Sequence, residues 1–153
     1  MKIELNINDN KKIIEFEPGE KLLETLRRSG YTSVKFGCGE GTCGSCLVLV
    51  DGKPRLACIT FTAQMAGRAI TTLEGLGTFE KLHPLQEAFL AEGAVQCGYC
   101  TPGMILAAKA LLDENPDPTE EDIKAYLDGN RCRCTGYVAI IRAIRTAAQK
   151  ITK

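Results

Sequence analysis

Ile3, Leu5 and Ile7 alternate with Glu4 and Asn6, the period of a half-buried strand. Asn8-Asp9-Asn10 then reads as a turn, and Ile13 to Glu17 as a return strand, so the chain opens on a predicted hairpin. Pro18-Gly19 ends it. Leu22, Leu23 and Leu26 follow at helical spacing, with Gly30 as the stop. Leu47 to Val50, an Asp51-Gly52 turn and Arg55 to Cys58 predict a second hairpin. Ile70 to Leu73 predicts one more strand.

Beyond this point the period changes. Leu82, Leu85, Phe89 and Leu90 form a helical stripe. Met104 to Leu112 is apolar nearly all round, which predicts a buried helix. Pro116 and Pro118 break it. Thr119 is placed to cap a third helix, with Asp122 at the position where a capping box usually carries Glu or Gln. Val138 to Ile151 is a fourth. The switch falls between Leu73 and Leu82, where Gly75 and Gly77 mark a short linker. The chain therefore divides into a mixed β half, residues 1–76, and a helical half, residues 77–153, an α+β organisation.

Composition narrows the function classes. The 153 residues are 44% hydrophobic, enough for one ordinary domain or two small ones. Lys+Arg and Asp+Glu both number 19, so there is no basic excess of the kind that binding nucleic acid or an anionic membrane requires. No apolar run approaches the roughly 20 residues of a membrane span. The N-terminus alternates and has no continuous apolar stretch of a secretory signal, which points to the cytoplasm. In that compartment the 8 cysteines are not expected to be disulfides, and their clustering favours metal ligation. The single histidine, His83, stands before Pro84 at a predicted helix start, a surface or capping position rather than a catalytic one.

Cys38, Cys43 and Cys46 have C-x4-C-x2-C spacing inside a glycine-rich stretch, the plant-type [2Fe–2S] spacing, with Cys58 beyond the second hairpin as the candidate fourth ligand. Four thiolates make such a cluster anionic. Glycines let the backbone fold tightly enough to aim N–H groups at the sulfurs. Zinc is the rival occupant of a site with four thiolates, although zinc ribbons usually use paired C-x2-C knuckles. Farther along, Cys97 and Cys100 form C-x2-C, and Cys132 and Cys134 form C-x-C. A thioredoxin-like pair is disfavoured because the surroundings are helical rather than βαβ. Cys100-Thr101-Pro102-Gly103 and Cys134-Thr135-Gly136 each open a helix, where N–H groups and the dipole favour thiolates and Pro102 costs no hydrogen bond. Two such starts facing one another between antiparallel helices would make a second cage of four thiols. Arg131 and Arg133 flank the last pair, either as solvated charge or as offsets to a negative cluster.

Together the segments Gly37–Cys46, Gln96–Gly103 and Cys132–Tyr137 resemble the iron–sulfur subunit of the molybdenum hydroxylases, the xanthine dehydrogenase and aldehyde oxidoreductase family, and the likeness runs from about Ile3 to Ala148. The resemblance implies an N-terminal β-grasp plant-type ferredoxin domain followed by a C-terminal four-helix-bundle [2Fe–2S] domain. It implies one cluster on Cys97, Cys100, Cys132 and Cys134, nearer a molybdenum–pterin cofactor. It implies another on Cys38, Cys43, Cys46 and Cys58, nearer a flavin. Gln96 and Cys134 match residues that approach the pterin. Family members often have leucine where this chain has Arg131. The chain would then be the non-catalytic electron-transfer part of an oxidoreductase. Its implied partners are a large subunit with molybdopterin in a dinucleotide form and a medium subunit with FAD, assembled as a dimer of heterotrimers. Purine or xanthine oxidation is the default substrate reading. Nicotinate, aldehyde, carbon monoxide and hydroxybenzoyl-CoA enzymes are the alternatives. A zinc-binding interaction module and an independent soluble ferredoxin are the rivals outside this family.

Overall fold

The computed structural model describes residues 1–152. Five strands form one sheet: β1 (Lys2–Ile7), β2 (Asn10–Glu15), β3 (Leu47–Val50), β4 (Lys53–Leu56) and β5 (Ala69–Thr71). The spatial order is β2-β1-β5-β3-β4. Only β1 and β5 run parallel; the other neighbours are antiparallel. With α1 (Leu22–Arg28) packed on one face, this is the β-grasp arrangement. Four helices follow: α2 (Pro84–Ala91), α3 (Thr101–Glu114), α4 (Glu120–Tyr126) and α5 (Val138–Ile151). Among the described residues, no helix is long and apolar enough to cross a membrane.

Both hairpins close through two residues of positive φ, Asn8 (52°) with Asp9 (61°) and Asp51 (50°) with Gly52 (77°). Such turns match the strand twist and suit Asn, Asp and Gly. They also shift the return strands from where hydrophobicity alone puts them. A turn this tight starts pairing at once, Ile7 with Asn10 and Val50 with Lys53. β2 and β4 therefore begin earlier than the sequence pattern suggests, at Asn10 and Lys53 rather than Ile13 and Arg55. β4 is an edge strand and tolerates Pro54.

β3 belongs to two cores. Val48 and Val50 pack with Leu5, Ile70 and the leucines of α1. Leu47 and Leu49, on the other face, pack with α2, α3 and α5. Every residue of β3 is buried, so its apolar run has no alternation. α3 lies against β3 and β4 on one side and against α2 and α4 on the other. That explains its apolar circumference: Met104, Ile105, Leu106, Ala107, Ala108 and Leu111 are all buried. α5 packs chiefly along α2, burying Ile140, Ala143 and Ile144. Fully burying a side chain the size of Ile144 or Phe89 stabilises the fold by roughly 1.5–3 kcal/mol.

The capping expectations hold. His83 is the N-cap of α2, its Nδ1 accepting from the Leu85 N–H at 3.2 Å. Thr119 and Asp122 cap α4 reciprocally: Thr119 Oγ1 accepts from Asp122 N at 3.1 Å, and Asp122 Oδ2 accepts from Thr119 N at 2.9 Å.

Candidate metal centres

The loop from Gly37 to Cys46 contains no regular element, and its shape comes from glycines in the left-handed region. Gly39, Gly41 and Gly44 have φ of 76°, 83° and 72°. Gly37 matters for a different reason: a Cβ there would lie 2.6 Å from Cys43 Sγ. The bare backbone thus wraps the thiols closely. Thr42 N donates to Cys38 Sγ at 3.2 Å, and Cys38 N donates to Cys43 Sγ at 3.4 Å. Beyond the second hairpin, Cys58 N donates to Cys46 Sγ at 3.5 Å, so the four cysteines expected together do meet. Cys38 and Cys43 are half-buried at the surface end, whereas Cys46 and Cys58 are buried in the β-domain core.

The second group forms where α3 and α5 begin. Cys100 is the N-cap of α3, with Pro102 in its first turn. Cys132 and Cys134 precede α5. Cys134 Sγ lies 3.6 Å from Cys97 Sγ, and the Cys132 thiol neighbours that of Cys100 closely enough to raise it. Cys132 Sγ also accepts from the N–H groups of Cys134 and Thr135, both at 3.4 Å, and from the Thr135 hydroxyl at 3.2 Å. Cys97 and Cys134 are exposed; Cys100 and Cys132 are half-buried.

Electrostatics divides each group. In the first, the Thr42 side chain and the N–H groups around the loop pull Cys38 down to about 6. Burial beside Cys58 pushes Cys46 up to about 12. In the second, burial pushes Cys100 up to about 12, helped by the neighbouring Cys132 thiol. Burial raises Cys132 too, but donation from Thr135 and the nearby backbone outweighs it and leaves that thiol at about 7. The Cys97 thiol raises Cys134. A buried thiolate without compensation is costly, and the N–H and hydroxyl donors around these sulfurs suit thiolates that bind metal.

Neighbouring thiols fall into pairs: Cys38 with Cys43, Cys46 with Cys58, Cys97 with Cys134, and Cys100 with Cys132. A binuclear cluster takes two thiolates at each iron, with sulfide between the irons. Four thiols in two pairs, with N–H donors at the sulfurs, fit that group.

Other residues singled out by the sequence fall around these centres. Gln96 is exposed beside Cys97. The side chains of Arg131 and Arg133 are also exposed. Arg131 nevertheless contributes through its backbone, donating its N–H to Cys43 O at 2.9 Å. Tyr137 is, in the sequence, only the last residue of a motif, yet the structure gives it a part of its own. It has φ of 69°, unusual for a bulky residue, and its hydroxyl accepts from the Cys132 N–H at 2.9 Å. The Tyr99 hydroxyl donates to Phe36 O and ties the second cysteine segment to the start of the first loop. No period or spacing rule reveals these last two bonds.

Comparison with known proteins gives matches over both halves. A 2Fe-2S iron-sulfur cluster binding domain matches residues 5–66, and a [2Fe-2S] binding domain matches residues 72–145. The chain is 52% identical over 149 residues to the nicotinate dehydrogenase small FeS subunit of Eubacterium barkeri, covering 97% of this chain and 95% of that one. It is 51% identical over 127 residues to a probable xanthine dehydrogenase subunit of Bacillus subtilis, covering 82% and 73%. Among solved structures, a chain of quinoline 2-oxidoreductase from Pseudomonas putida 86 superposes with a TM-score of 0.95 at 42% identity, covering 99% of this chain and 96% of that one.

Proposed function

The chain belongs to the family of iron–sulfur subunits of the molybdenum hydroxylases, and from that premise we propose that it is the electron relay of a complex whose reaction takes place on another chain. Cys38, Cys43, Cys46 and Cys58 hold one [2Fe–2S] cluster, and Cys97, Cys100, Cys132 and Cys134 hold the other. The domains divide at 1–76 and 77–153. A bound [2Fe–2S] cluster takes up and gives back one electron at a time. The protein's part is to hold two such groups at a set separation and donate N–H groups to their sulfurs. One observation carries this reading: the two groups of four thiols are structurally distinct, yet the Arg131 N–H bonds the Cys43 carbonyl, one residue from Cys132.

The second centre is the entry side. Cys97, Cys134 and Gln96 are exposed at the surface, where a large subunit carrying molybdopterin in a dinucleotide form would dock, with Gln96 and Cys134 reaching toward the pterin. The first centre passes electrons to FAD on a medium subunit. The assembly is a dimer of heterotrimers in the cytoplasm. The substrate is a nitrogen heteroaromatic. Purine is the first reading, and nicotinate stands beside it because the nicotinate dehydrogenase small FeS subunit of Eubacterium barkeri matches over nearly its full length.

The test is purification of the native protein followed by metal analysis and assay. Co-elution with a larger molybdenum-containing chain and a flavin-containing chain, with nicotinate or xanthine turned over, is the expected result. A coloured iron protein that elutes alone would instead be an independent ferredoxin, and a colourless zinc protein would remove the reading altogether.

A further inference from the structure

Three segments that carry cysteines of both centres converge on one point. Gly44 lies between Cys43 and Cys46, Gly103 follows Cys100 in the first turn of α3, and Asn130 precedes Cys132. There is no room among them. A Cβ on Gly103 would lie 2.3 Å from the Gly44 carbonyl oxygen, and a Cβ on Gly44 would lie 2.6 Å from Asn130 Nδ2 and 2.7 Å from Gly129 O. Gly44 also has φ of 72°, strained for any L side chain. Asn130 is only 5% exposed. Its Nδ2 donates to Gly44 O at 3.3 Å, and Leu47 N donates to the same oxygen at 3.1 Å. That carbonyl therefore has both acceptor positions filled, one from each domain. The Arg131 N–H to Cys43 O bond closes the contact from the other side.

A glycine within a helix's first turn and a buried asparagine in a loop are both costly unless something requires them. Here each serves a close backbone approach between the domains. We propose that Gly44, Gly103 and Asn130 are positioning residues that set the separation of the two metal centres. The proposal rests on the assignment of the 8 cysteines to two clusters. The contact stops the segments from closing further, and the Asn130 bond ties them against moving apart. Each of its segments is covalently continuous with cysteines a few residues away, and interiors packed at crystal density transmit a displacement rather than absorb it. To reach ordinary van der Waals contact, 3.4–4 Å, a methyl at Gly103 must push Gly44 back by about 1 Å.

The experiment uses the full chain with both clusters and reads the magnetic interaction between them when both are reduced. A dipolar splitting falls with the cube of the separation, so a displacement of that size registers. In Gly103→Ala the expected result is a smaller EPR splitting, with the iron content and the separate signals of both clusters retained. Asn130→Ala removes the hydrogen bond without adding bulk and is expected to give a smaller loss in the same direction. If Gly103→Ala does not retain both clusters, Asn130→Ala decides alone. An unchanged splitting in variants that hold both clusters overturns the proposal. A wild-type chain without two clusters shows instead that the ligand assignment itself is wrong, and the proposal falls with it. A role limited to stability would lower the melting temperature and leave the splitting alone.

Discussion

Each of the two centres presents four thiols, but on opposite kinds of scaffold. The first is gathered by a single glycine-rich loop whose backbone supplies the donors, and Cys58 arrives from the adjoining hairpin. The second is assembled from two segments far apart in sequence, each placed by the start of a helix. Local backbone conformation therefore shapes the first centre, whereas packing of the helical core shapes the second. One ligand chemistry is thus reached by turn geometry or by tertiary assembly, and the two routes should fail differently.

The largest effect is expected from removing one ligand from each centre. Cys43→Ser and Cys100→Ser are each expected to lose about half of the iron, and each should remove a different one of two EPR signals on reduction. Loss of both signals from either variant would mean the sites are not separate.

Disturbing the helical core sharpens the contrast. Phe89 is 1% exposed and lies on α2 beneath the second centre's scaffold. Phe89→Ala is expected to cost about 3–5 kcal/mol. On heating, iron should leave the second centre first. Simultaneous bleaching of both centres, followed by visible absorbance, would show that the loop gains no independence from its local origin.

A smaller effect is expected at Tyr137. Its hydroxyl occupies the Cys132 N–H, which Tyr137→Phe would free. The expected cost is about 1 kcal/mol of stability. A freed N–H can donate to sulfur and stabilise the reduced anion, so the midpoint potential of the second cluster should rise while that of the first stays in place. Redox titration followed by EPR reads both.

The smallest effect is expected for Arg131→Leu. The guanidinium is exposed, where solvent and salt screen it. The potential of the second cluster should fall slightly, and the difference should shrink as ionic strength rises. A large shift independent of salt would mean that the backbone bond to Cys43 O had been disturbed as well.

Much of this was legible along the chain. Asn8-Asp9 and Asp51-Gly52 announce hairpins because few other residues accept positive φ. The loop cysteines announce a cluster because their spacing is itself the geometry. The strand limits were less legible, since the return strand begins where the turn releases it rather than where apolar residues start. The double burial of β3 could be suspected from Leu47-Val48-Leu49-Val50, an apolar run without alternation, but nothing there says which face meets which core. Tyr137 carries no local sign of its strained backbone. Gly103 reads along the chain only as part of a helix start, and nothing local announces the segment it approaches.

Legible along the chain alone are the clustering of the cysteines, the β and helical halves that bear them, and the caps and turns, though not the strand limits. These depend on neighbours a few residues apart, whose chemistry is written in order. How the two sets stand to one another follows from the packing of the fold. The Gly44–Asn130 bond joins residues 86 positions apart, and the approach of Gly103 to the Gly44 carbonyl is a contact between backbones. Close backbone contact leaves no periodicity behind, only the absence of a side chain, and that absence becomes readable once the partner that fills the space is known.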